Sequence, residues 1–182
     1  MGEKRFYIDL DAVTTREKHA LTHNIHPYPA KYIPQIPGSL MDYLGIPVGS
    51  TVMDPFCGSG TTLLEAAIRG HNAVGIDSNP IAALISRTKC TLLSKEQCSL
   101  VDAVVSKLEG FDGTDSSMIK IPEFLNRDHW FQLNMQKELG YIRNLIDSVD
   151  DAQAADFLRT AFSAIIVKAS NQESATRWRA KN

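Results

Sequence analysis

Asp54-Pro55-Phe56-Cys57-Gly58-Ser59-Gly60-Thr61-Thr62 puts a carboxylate, two glycines and a run of hydroxyls within one short stretch. A second carboxylate, Asp77, closes the apolar run Asn72-Ala73-Val74-Gly75-Ile76. Gly58 and Gly60 permit positive φ and let a ligand approach the backbone closely. Phosphate chemistry is disfavoured, because a P-loop needs a Lys-Ser/Thr pair after its glycines and none follows here. A dinucleotide is disfavoured too, since Leu63 stands where the third fingerprint glycine belongs. What remains is a Gly-rich turn between two acids. Asp77 is suited to accept hydrogen bonds from ribose hydroxyls, and Asp54 to face a cationic or ammonium group. A nucleoside carrying an amino-acid tail satisfies both, and S-adenosylmethionine is such a ligand. The same residues also fit an ordinary βαβ turn with incidental acids.

The flanking elements must hold these groups in place. Val52 and Met53 follow the turn-prone Gly49-Ser50 and predict a short buried strand. Pro55 ends it, having no N–H to give and restricting Asp54 to extended geometry. Thr61-Thr62 open a helical run, Leu63 to Ile68, that stops at Gly70, and a second strand runs to Ile76. In a parallel sheet both aspartates then lie at the carboxyl edge, where doubly wound folds bind ligands. The expected fold class is α/β: a doubly wound, mostly parallel, Rossmann-like sheet, incomplete, with a helical C-terminal third.

Asp54 to Thr62 resembles the cofactor motif of DNA methyltransferases that methylate exocyclic amines, adenine N6 or cytosine N4. Upstream, His26-Pro27-Tyr28-Pro29-Ala30-Lys31-Tyr32-Ile33-Pro34 resembles the partner motif preceding it in many of these enzymes. Downstream, Gly75-Ile76-Asp77-Ser78-Asn79-Pro80 resembles their ribose-binding segment. The resemblance covers roughly His26 to Lys89. It implies S-adenosylmethionine as cofactor, held by His26, Lys31, Asp54, Pro55, Phe56, Cys57, Gly58, Gly60, Thr61, Asp77, Ser78 and Asn79, with the proline segment lining the methionine end. That segment holds four prolines between His26 and Pro37, so it is neither regular helix nor central strand and costs little entropy to order.

The family also needs an Asp/Asn/Ser-Pro-Pro-aromatic motif to hold the target amine of a base taken out of the stack. No Pro-Pro pair occurs in the sequence, and Asp54-Pro55-Phe56 belongs to the cofactor turn. No catalytic residue is therefore assigned. The expectation is the cofactor-binding part of such an enzyme, inactive alone, acting on DNA once a partner subunit or missing C-terminal part supplies catalysis. Two alternatives stay open: a fragment of a tRNA guanine-N2-type methyltransferase, and a non-catalytic binding module.

Composition bounds the rest. At 182 residues and 43% apolar, the chain suits one soluble domain or part-domain. A net charge of −2 gives no global pull on nucleic acid. Cys57, Cys90 and Cys98 form no C-x-x-C pair, which argues against a disulfide framework or metal site, and Cys57 suits packing in the turn. No run is long enough for a membrane span, and the expected compartment is the cytoplasm.

In order, 1–24 is an N-terminal segment with Phe6 to Leu10 as a candidate short strand or docking segment. Residues 25–110 form the cofactor core, including a helix over Ile36 to Leu44 with Leu40, Tyr43 and Leu44 apolar. Residues 120–182 form the helical segment and basic tail. Asn79-Pro80 open a helix to Lys89. Ser94 and Gln97 form a capping box before a helix to Leu108, and Gly110 to Ser117 reads as a loop. Trp130-Phe131 start an amphipathic helix, as core or subunit-contact residues more readily than as base-stacking ones. Asp151 precedes a helix over Ala154 to Lys168. Arg177, Trp178, Arg179 and Lys181 form a basic tail that suits phosphate contact or fraying.

Overall fold

The computed structural model describes residues 6–11, 13–29, 31–112, 119–174 and 177–180. The expected loop at Gly110 to Ser117 falls largely outside them, as does Lys181. The chain divides into two compact units, Met1–Thr91 and Leu92–Asn182.

The first unit is built around one βαβ element. Strand β1 (Thr51–Asp54) and strand β2 (Asn72–Gly75) are parallel, in the register Thr51↔Asn72 to Asp54↔Gly75. Helices α1 (Thr15–Lys18) and α2 (Gln35–Leu44) precede them, helix α3 (Thr61–Ile68) connects them, and helix α4 (Pro80–Lys89) follows. Two parallel strands among helices make this an α/β fold; the larger doubly wound sheet is not seen among the described residues. Met53, Val74 and Ile76 stay exposed, although parallel strands ordinarily bury both faces. The core lies instead on the helix side, with Met41, Leu63, Leu64, Ala66, Ala82 and Ile85 buried.

Helix α2 forms as expected. Leu40, Tyr43 and Leu44 are exposed, while Pro37, Gly38 and Met41 are buried. At Gly38 a Cβ would lie 2.6 Å from both Arg69 Nη2 and Glu65 Oε2, so a larger residue there would have to displace these two side chains. No strand forms over residues 6–11; Phe6 instead packs a tilted ring against Tyr43 at 5.0 Å.

The second unit holds α5 (Lys95–Glu109), α6 (Arg127–Trp130), α7 (Leu133–Asp147) and α8 (Ala152–Ala169). Val104, Ile146 and Leu158 form its buried centre, with Val101, Ile142 and Phe162 packed against it. The expected capping box on α5 is present: Ser94 accepts from Gln97 N–H, and Gln97 accepts from Ser94 N–H. Asp151 caps α8 by accepting from Ala154 N–H at 2.8 Å.

Two expectations are corrected here. Trp130 and Phe131 do not start one continuous helix, because Phe131 (φ −138°, ψ 129°) and Gln132 (ψ 151°) are extended and separate α6 from α7. Both aromatics are half-buried. The tail is not frayed throughout: β3 (Gln172–Ser174) and β4 (Arg177–Ala180) pair as an antiparallel hairpin. Its polar sequence carries no apolar alternation to announce a strand. No helix among the described residues is long and apolar enough to cross a membrane.

Candidate cofactor site

The turn after β1 is fixed by backbone bonds that continue the parallel ladder. Ile76 N–H donates to Asp54 O at 2.9 Å, and Cys57 N–H donates to Ile76 O at 3.0 Å. These bring the ends of both strands, and both aspartates, to one edge. Asp54 Oδ1 accepts from Phe56 N–H at 3.1 Å, a local Asx-type turn that Pro55 favours. Gly60 N–H donates to Cys57 O at 2.8 Å and closes the turn.

Gly60 holds φ at 77°, and a Cβ on it would lie 2.6 Å from Ser86 Cβ and 2.9 Å from Ser86 Cα. Here α3 starts against α4 with no space for a side chain. Gly60→Ala should therefore lower stability by about 2 kcal/mol or more, since strain at positive φ adds to the overlap. A urea midpoint unchanged by the substitution would contradict this packing. Gly58 differs: at φ 49° its built Cβ meets only the Tyr28 ring, at 3.7 Å, so its backbone is open to a ligand.

Asp77 braces the turn as well as facing it. Its Oδ2 accepts from Gly58 N–H at 2.9 Å and its Oδ1 from Asn79 N–H at 2.8 Å. A carboxylate offers about four acceptor positions, so capacity for hydroxyl donors remains. Asn79 caps α4 by accepting from Ile81 N–H at 3.0 Å, with Pro80 in the first turn, as expected. Ser78 is exposed between them.

The remaining candidates take distinct places. Cys57 is buried, and a Cβ on Gly75 would lie 2.9 Å from its Sγ, so its side chain packs against β2 and only its backbone borders the turn. Burial pushes the thiol up, which makes it a poor nucleophile. Pro55 and Phe56 are exposed, Phe56 at 85%. Lys31 does not extend freely: its Nζ donates to His23 O at 3.1 Å and His26 O at 3.4 Å, stapling its own segment. With His23, Pro34 and Thr61 it also lines a cavity of about 130 Å3. His26 is half-buried and enters this arrangement through its carbonyl.

Sequence reasoning missed three features. Tyr28 reaches the turn from the proline segment, its Oη accepting from Asn79 Nδ2 at 3.4 Å. Ser59 is buried in the turn, with Lys89 Nζ 3.4 Å from its Oγ. A buried polar network ties the unit together: His23 Nε2 lies 2.8 Å from Glu65 Oε1, and Arg69 bonds both Glu65 and Asp42. Only the tyrosine had a local signal, its place among prolines. No cluster of His, Cys, Asp or Glu among the described residues could hold a metal ion.

Residues 10–87 match the family described as DNA methylase, of the N6/N4 type, and this segment contains the whole turn, both aspartates and the proline segment. That segment belongs to the amino-methylating DNA methyltransferase family. It is 29% identical to Type II methyltransferase M.MvaI of Kocuria varians, over 94% of this chain and 38% of that protein. It is 34% identical to Type II methyltransferase M.MjaII of Methanocaldococcus jannaschii, over 71% of this chain and 26% of that protein. A tRNA (guanine(10)-N2)-dimethyltransferase of the same archaeon is 29% identical over 60% of this chain and 27% of its own length. Among relatives in this family, the chain thus spans well under half of their length. No solved structure matches it.

Proposed function

We propose that this chain is the S-adenosylmethionine-binding part of a DNA methyltransferase acting on adenine N6 or cytosine N4. The observation that carries the reading is the pair Asp54 and Asp77, held at the ends of adjacent parallel strands around an open glycine backbone. Asp77 would accept the ribose hydroxyls with its remaining acceptor positions, and Gly58 lets the ligand lie against the turn. Asp54 would face the ammonium-bearing part. Pro55, Phe56, Cys57, Gly60 and Thr61 contribute the backbone and walls of that turn, and Ser78 and Asn79 flank the ribose. Tyr28, His26 and Lys31 bound the site from the proline segment.

When bound, the cofactor supplies a methyl group on a sulfonium centre to an amine nitrogen. The residues here bind and orient; none is assigned to the target amine. That role falls to a catalytic part, in a partner subunit or a further stretch of chain, together with most contacts to DNA. The exposed Met53, Val74 and Ile76 support a larger doubly wound sheet built on β1 and β2. The three free cysteines fit a reducing, cytoplasmic setting.

A second reading, methylation of tRNA guanine N2, is favoured by the similarity to the archaeal tRNA enzyme. Labelled cofactor separates the two. Incubated alone with DNA, the chain should transfer no methyl group. With a catalytic part carrying the Pro-Pro-aromatic motif, label should appear as N6-methyladenine or N4-methylcytosine. Label on tRNA guanine instead would establish the second reading, and transfer by the chain alone would refute the assignment of catalysis elsewhere.

A further inference from the structure

Lys89 ends α4 with only 3% of its surface exposed, although lysine is rarely buried without a charged partner. Its Nζ has three protons to give and, among the described residues, reaches only Ser59 Oγ, at the long distance of 3.4 Å. No ion pair to it is found among the described residues. Glu65, the buried carboxylate of this unit, is already held by His23 and Arg69. Burial, and then the like charge of Lys31, pull Lys89 down to about 8, with Cys90 opposing. The corner is built to keep both ammoniums there. Thr22 Oγ1 donates to Lys89 O at 2.7 Å, fixing the turn Leu21–Asn24 on the end of α4, and Lys31 is stapled to the carbonyl of His23 in that turn.

Two cations thus lie near enough to repel beside the Gly-rich turn, and among the described residues neither has an ion-pair partner. Such a pair costs stability unless something negative arrives. The turn runs from Asp54 past Gly58, which is bonded to Asp77, to Ser59 and Thr61. A ligand lying along it with its ribose at Asp77 would carry its tail toward the lysines.

We infer that Lys89, beneath Ser59, acts with Lys31 as the cationic floor of a subsite for the carboxylate of the ligand's amino-acid tail. The inference rests on the cofactor reading above. Lys89 is a positioning residue here: its charge acts through a low-dielectric corner and needs no contact with the reacting methyl group.

The test compares S-adenosylmethionine with its decarboxylated analogue by titration calorimetry, on the parent chain, K89M and K89R. The parent should prefer the carboxylate-bearing ligand, and K89M should reduce that preference about 10-fold or more. Binding of the analogue should be little changed. Raising the pH through 8 should weaken cofactor binding by the parent more than by K89R, which keeps its charge. Among the described residues, the titratable groups acting on Lys89 are Lys31 from the proline segment and Cys90 beside it, whose thiol burial pushes up and so keeps protonated at pH 8. Should K89M fail to fold, the parent–K89R comparison carries the test. Unchanged ligand preference in K89M, or parallel pH profiles for parent and K89R, would overturn the inference while leaving the cofactor reading intact. A folded parent that binds neither ligand would overturn both.

Discussion

Asp77→Ala lowers affinity for S-adenosylmethionine by about 100-fold or more and lowers stability as well. On the proposed reading the carboxylate accepts two ribose hydroxyls, and hydrogen bonds to a charged acceptor contribute about 1.5–3 kcal/mol each. Its oxygens also accept from Gly58 and Asn79 N–H in the free protein. Removing those bonds should cost about 1–3 kcal/mol. The sequence alone predicts a loss of binding with little loss of fold; the bracing of the turn adds the second effect. Equilibrium dialysis and urea unfolding of the same variant separate the two. Parental affinity in the variant would refute the ribose assignment.

The largest effect on stability should come from Glu65→Ala. Glu65 is 8% exposed, beside His23 at 4%, and joins α3 to the turn Leu21–Asn24 and, through Arg69, to α2. Removing one partner of a buried charged network costs about 3–5 kcal/mol. Asp42 still compensates Arg69, so the lower end is expected. Burial pushes the Glu65 carboxyl up, but His23 and Arg69 together hold it below the usual glutamate range. A carboxyl lowered in the folded state stabilises above its unfolded pKa, about 4.3 for glutamate. That contribution is lost as pH falls through the lower folded value. The stability gap between the parent and Glu65→Gln should therefore be full at neutral pH and shrink in acid. A gap independent of pH would contradict the network.

The local parts of this molecule were legible. Gly58, Gly60 and the two aspartates announce their turn through backbone chemistry that operates within a few residues. So do the Ser94–Gln97 capping box, the Asn79-Pro80 helix start and the Asp151 cap. What could not be read joins distant positions. Glu65 is 42 residues from His23, Lys89 is 30 from Ser59, and Asn79 is 51 from Tyr28. In sequence, Glu65, Arg69 and Lys89 are ordinary helix charges, and only the packed unit reveals that two of the three are buried. Lys31 shows the opposite limit. A proline-stiffened segment does aim its polar groups, but Lys31 is aimed first at its own carbonyls. The apolar residues of α2 do not mark its buried face: Leu40, Tyr43 and Leu44 are exposed, and Pro37, Gly38 and Met41 are buried.

This chain should bind S-adenosylmethionine by itself. Calorimetric titration of the cofactor into the purified chain, with Asp77→Ala beside it, tests that most directly. Micromolar, one-to-one binding that the substitution abolishes is the predicted result. A folded chain that gives no binding heat, and no rise in thermal midpoint at millimolar cofactor, would contradict it.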